Sequence, residues 1–153
     1  MHLETAQLAA AADSREAIIN DAPKLHEAFL PGDVTYQGDL ILVCIAQLPT
    51  SAKRRDNRQL ADGNTQGSRH ILKRGDVYDA EKAEIAGLIQ AATGKQIGHN
   101  YIGPVFVSPE EPTCDDLWHP DHGNHGFKPA GAVVAVVYAR NLDNEEMEHR
   151  VVD

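Results

Sequence analysis

Residues 38–49, GDLILVCIAQLP, restrict the fold more than any other stretch. Seven apolar side chains follow one another from Leu40 to Ala46 without the polar alternation of a half-buried strand. Such a run, closed by Pro49, reads as a strand covered on both faces, so the sheet that contains it needs a layer on either side. A second run, AVVAVVYAR at 132–140, reads as a long closing strand. With 153 residues, one domain of ordinary size can bury roughly 68–70% of the surface that its unfolded chain exposes.

The remaining elements follow from spacing and breakers. Asp13 with Glu16 resembles a capping box, and Ile18, Ala22, Leu25 and Phe29 recur at helical intervals, which predicts a helix over 14–29 kinked at Pro23. Residues 3–12, rich in alanine and leucine, predict a short helix before it. Polar residues 50–68 read as a long loop, and SRHILKRGDVYD reads as a hairpin turning at Arg74 and Gly75. Asp79 is positioned to cap a helix over about 80–93, with Ile85, Leu88, Ile89 and Ala92 on one face and Gly94 at its end. YIGPVFVS is a strand interrupted at Gly103 and Pro104, which favours an edge or a bulge. DLWH and HGFK flank the turn PDHGN.

Strands thus come in runs, not in βαβ alternation. The expectation is an α+β fold in a single domain over 1–153: an N-terminal helical segment at 1–31, a β-rich core at 38–140 and an acidic tail at 141–153. The core is a mostly antiparallel sheet or small β-barrel with one inserted helix.

Charge and composition exclude some functions. The net charge of −9 disfavours a chain that coats nucleic acid with its whole surface. Yet residues 53–74 hold seven of the 14 lysines and arginines against two aspartates. Arg54, Arg55, Arg58 and Arg69 are accordingly the candidate anion-binding residues, with nucleic acid as one alternative ligand. No apolar run reaches the ~20 residues that span a bilayer. The N-terminus lacks a basic region and carries Glu4, so a cytoplasmic location without membrane contact is expected. Two cysteines, Cys44 in the apolar strand and Cys114 in a polar loop, do not form a disulfide framework. Cys114 precedes His119 by five residues, but no nucleophile motif accompanies it.

The chemical interest lies in LWHPDHGNHGF at 117–127, where three of the eight histidines fall within seven residues. Neutral imidazole is the commonest metal ligand. Pro120 and Gly123 permit a reversal that lets His119 and His122 face one point, and His70, at the start of another strand, is the expected third ligand. Asp121 and His125 rank behind these three, with Asp116 or water as further fourth ligands, and His125 is expected to face solvent. The ion would be divalent: zinc, iron or manganese. The competing reading is a turn of ordinary polar residues, since His, Asn, Asp, Gly and Pro all favour turns.

Gly67, His70, His119, Pro120, Asp121, His122, Gly123, Pro129 and Gly131 together resemble a set of uncharacterised small bacterial proteins in which a G-x-x-H element precedes an HPEHG-like element and a closing strand. The resemblance covers about 38–140 and implies no activity. A more distant similarity is to the cupins, whose metal sites lie in small barrels and whose second motif includes a PxG turn like Pro129–Gly131. The paired HxH and its following glutamate are missing here.

The leading functional expectation is a binding or accessory module with a divalent-metal site, engaging a protein partner or a second copy of itself. A small metal-dependent hydrolase or iron oxygenase is the alternative, without an assignable catalytic residue.

Overall fold

The computed structural model describes residues 22–61 and 70–139. Among the described residues, ten strands and one helix follow in order: β1 Lys24–His26, β2 Val34–Gln37, β3 Leu40–Ile45, β4 Lys53–Arg55, β5 Ile71–Leu72, β6 Asp76–Asp79, α1 Lys82–Thr93, β7 Ile102–Val107, β8 Leu117–Trp118, β9 His125–Phe127 and β10 Val133–Tyr138. A 3-10 turn at His99–Tyr101 leads into β7. The strands form two open sheets in place of the small barrel that was one of the two expectations. The six-stranded sheet has the order β2-β3-β10-β7-β6-β4, and the four-stranded sheet the order β1-β9-β8-β5. Every pairing is antiparallel except β1 with β9.

The apolar run has the two-sided cover that its composition demands over Leu40–Ile45, and Ala46 beyond it is exposed. All six residues of β3 are buried. Leu40, Leu42 and Cys44 face the smaller sheet and pack in one cluster with Phe29, Leu72, Phe106, Leu117, Phe127, Val134 and Val136. Ile41, Val43 and Ile45 face the other way, into a cluster with Ile85 and Ile89 of α1 and with Ile97, Val105 and Val137. The protein is therefore three layers, small sheet on large sheet on helix. Each buried aliphatic side chain contributes about 1.5–3 kcal/mol by leaving water.

Several local expectations change. The helix over 14–29 does not extend through its described part: Lys24, Leu25 and His26 form β1, paired with His125, Gly126 and Phe127. Pro23 lacks an N–H and disfavours helical geometry before it, while β9 offers hydrogen bonds to an extended chain. The remainder of that segment, the helix at 3–12 and the acidic tail lie outside the described residues. In the long loop, Lys53–Arg55 pairs with β6. Helix α1 begins after Glu81 without a side-chain cap, and Asp79 instead ends β6. Gly94, at φ 76°, closes the helix as expected, its N–H reaching the Gln90 carbonyl.

Glu84 ties α1 to the loop after β3. Its carboxylate accepts from the N–H and hydroxyl of both Thr50 and Ser51 at 2.6–3.0 Å. These four donors hold the carboxyl well down, at about 2. Strand β7 is interior, not an edge, and accommodates Pro104 through a register irregularity against β10 between Ala135 and Val137. Within β7, β6 pairs only with Val105–Val107, so the missing proline N–H falls beyond that ladder.

Among buried side-chain polar atoms of the described residues, Tyr36 Oη alone has no hydrogen-bond partner. A buried unpaired hydroxyl carries its desolvation cost uncompensated. Tyr36→Phe is expected to stabilise the protein by about 1 kcal/mol, read from the urea midpoint. Destabilisation of similar size would show that the hydroxyl is satisfied.

Candidate functional site

Two turns from different sheets meet at one end of the layered core. From the large sheet comes Gly38–Asp39, the two-residue link between β2 and β3, whose flanking residues Gln37 and Leu40 pair. From the small sheet come His70, which precedes β5, and the turn 119–124 between β8 and β9. Pairing of Ile71 with Trp118 places His70 opposite His119. The ring centroids of His70 and His119 lie 4.4 Å apart, and those of His119 and His122 lie 4.6 Å apart. The three histidines singled out in the sequence therefore stand side by side.

Gly38 makes that meeting sterically feasible. At φ +59° it occupies a conformation that suits glycine, and a Cβ there would lie 2.7 Å from His122 Cδ2, 2.8 Å from His122 Nε2 and 3.3 Å from His70 Cε1. Both imidazoles thus pack against the bare Cα of the turn. A larger residue would have to push the His122 ring aside.

Hydrogen bonds assign the proton on two of the rings. Gln37 is buried, and its amide nitrogen donates to the carbonyls of Leu117 at 3.2 Å and Gly123 at 3.0 Å. Its Oε1 is therefore the acceptor facing His70 Nδ1 at 2.8 Å, so Nδ1 carries a hydrogen. His70 Nε2 then faces Asp39 Oδ1 at 3.2 Å. In His119, Nδ1 accepts from the N–H groups of Asp121 at 3.0 Å and His122 at 3.2 Å. The neutral ring consequently carries its proton on Nε2, and His119 braces the turn that presents His122.

Burial governs the titration of these groups. His70 is fully buried, and loss of hydration lowers its pKa against the opposing pull of Asp39. His119, 5% exposed, is pushed down to about 4 by burial and by the neighbouring His70 and His122.

His125 departs from the expectation that it faces solvent. It is 3% exposed in β9, and its Nδ1 lies 3.0 Å from His26 Nε2 on β1. Burial, then His26, Lys24 and His70, bring its pKa down to about 3. His26 stacks on Phe127, with rings 10° from parallel, and lines an open cleft of about 490 Å³ with Phe29, Asp33 and Thr35. Asp116 is committed elsewhere: its carboxylate accepts from Thr113 N at 2.9 Å and Thr113 Oγ1 at 3.0 Å and faces Arg74 at 3.4 Å. Asp121 is exposed on the turn.

Three of the four arginines expected to bind anions are engaged by the protein's own acceptors. Arg54 pairs with Asp76 at 3.2 Å and Arg55 with Asp79 at 3.0 Å. Arg55 also donates to the carbonyls of Asn57 and Gln59, and Arg58 donates to the Lys73 carbonyl at 2.9 Å. Lys73 lies over the Trp118 ring, 4.6 Å from its centroid. Arg69 lies outside the described residues.

Gln37 and Asp39 carry no motif, and sequence reasoning missed both. The available signal was the dipeptide Gly38–Asp39 immediately before a fully buried strand, which marks a tight turn with a carboxylate at its tip. Among the described residues, no group of three or more His, Cys, Asp or Glu side chains already surrounds a common point as a finished metal site. What the turns bring together is one imidazole–carboxylate contact with two further rings beside it. Among the described residues no helix is long and apolar enough to cross a membrane. No family model, curated protein or solved structure matches the chain.

Proposed function

We propose that the protein is a divalent-metal-binding module whose ion sits where the β2–β3 turn meets the histidine turn of the small sheet. The observation that carries this reading is the apposition of the His70, His119 and His122 rings across two sheets, opposite the Asp39 carboxylate. His70 and His122 act as imidazole ligands. His119, whose Nδ1 holds backbone N–H groups, positions His122. Imidazole with carboxylate suits zinc, iron or manganese.

Titration of the metal-free, untagged chain with Zn²⁺ by calorimetry is expected to give one site per chain. His70→Ala and His122→Ala are each expected to weaken it by at least about 10-fold, since either removes a direct ligand. No saturable binding, or binding that both variants retain at full strength, overturns the reading. As a binding module the chain would present this site to a protein partner or a second copy of itself.

A further inference from the structure

The contact between His70 and Asp39 contains two acceptors if the ring is neutral. Gln37 cannot reverse its amide without turning its NH2 group onto His70 and its oxygen onto the carbonyls of Leu117 and Gly123. Its orientation therefore keeps the hydrogen of His70 on Nδ1, and the Nε2 lone pair points at a carboxylate oxygen. A cation between the two atoms turns that repulsion into attraction. The spacing suits one: two ligands with bonds of about 2.0–2.1 Å at a tetrahedral angle stand about 3.3 Å apart, and Nε2 and Oδ1 are 3.2 Å apart.

We propose that Asp39 is a metal ligand together with His70 Nε2, and that Gln37 is the positioning residue that presents His70 in the ligating tautomer. This rests on the metal-binding reading above and adds to it a carboxylate ligand and an outer partner, the arrangement in which a ligating histidine donates its second N–H to a fixed acceptor. The Gln37–Gly38–Asp39 segment then performs three tasks in successive residues. Gln37 sets the tautomer, Gly38 leaves room for two imidazoles, and Asp39 supplies charge to offset the ion. A ligand set of two imidazoles and one carboxylate leaves coordination positions for water or for a donor from a bound partner.

The test combines Zn²⁺ calorimetry with long-range ¹H–¹⁵N NMR of the histidine rings in the full chain. Asp39→Asn, which keeps size and turn preference, is expected to weaken Zn²⁺ binding at least about 10-fold. Gln37→Leu is expected to weaken it by about 10–100-fold, the usual consequence of losing an outer partner. In the metal-free wild type at pH 7.5, His70 is expected to be protonated on Nδ1 alone, and Zn²⁺ is expected to shift Nε2 while Nδ1 keeps its hydrogen. A wild type that binds no Zn²⁺ overturns this inference and the metal-binding reading together. Binding that His70→Ala weakens but Asp39→Asn leaves unchanged overturns the inference alone, as does Zn²⁺ binding that leaves His70 Nε2 unshifted.

Discussion

Gly126→Ala is expected to destabilise the protein by more than about 3 kcal/mol, a large share of the roughly 5–15 kcal/mol that keeps an ordinary domain folded. Gly126 is the middle residue of β9, an interior strand that pairs with both β1 and β8. A Cβ at this position would overlap the carbonyl oxygen of Thr113, lie 2.5 Å from its carbonyl carbon and press on Leu25 Cδ1 at 3.0 Å. The obstacle is backbone and has little room to retreat. Thr113 is tied by its N–H and its hydroxyl to the buried Asp116 carboxylate, and Asp116 N returns a hydrogen bond of 3.3 Å to the same Thr113 oxygen. Relief therefore requires the loop to leave β9 or β9 to leave the sheet. Gly87→Ala is the control: it lies on the exposed side of α1 with nothing within 4 Å of its Cβ position. That substitution is expected to stabilise by roughly 0.5–1 kcal/mol through helix propensity. Urea unfolding of both variants decides the matter, and a Gly126→Ala midpoint within error of wild type would mean that Thr113 is not held against β9.

The same strand shows where sequence reading succeeds and where it fails. Leu40–Ile45 and Val133–Tyr138 were legible because burial on two faces leaves a composition that no solvated element shares. Helix α1 was legible through Ile85 and Ile89 and through Gly94, although its first turn was misplaced because Asp79 is needed by β6. Leu25 and Phe29 fit a helical interval equally well, yet β1 forms because β9 lies alongside it, and a partner 100 residues away leaves no local trace in the chain. The inward position of His125 is likewise nonlocal. All three residues of β9 are buried, so this strand carries no alternation from which an outward face could be read. The site was legible in its histidines, which are rare and clustered, and illegible in Gln37 and Asp39. Those two gain their meaning only from the antiparallel register that puts His70 across from His119 and from the packing of one turn onto another.

Acid is expected to unfold the metal-free protein cooperatively between about pH 6 and pH 4, and His125 is the principal reason. Its folded-state pKa of about 3 lies below the ordinary value of 6.5, so over that interval the unfolded chain binds a proton that the folded chain refuses. Stability is therefore complete above pH 6.5, falls as pH drops below it, and loses nothing further from this group below about 3. Each such proton costs about 1.4 kcal/mol per pH unit, which for His125 accumulates to roughly 5 kcal/mol across its range. His119, held near 4, and His70, also lowered, act in the same direction, so the limb steepens toward three protons, or about 4 kcal/mol per pH unit at most. Glu84 adds to the loss only below about 4.5, where its carboxylate begins to protonate in the unfolded chain. The pair with His26 localises the effect. His125 Nδ1 lies 3.0 Å from Nε2 of His26, which borders the open cleft. Stability against pH, followed by urea unfolding and Trp118 fluorescence, should show this slope. His125→Phe, which keeps an aromatic ring beside Phe127 and removes the titrating group, should flatten it by about one proton. An unchanged slope in that variant would assign the acid limb to other groups.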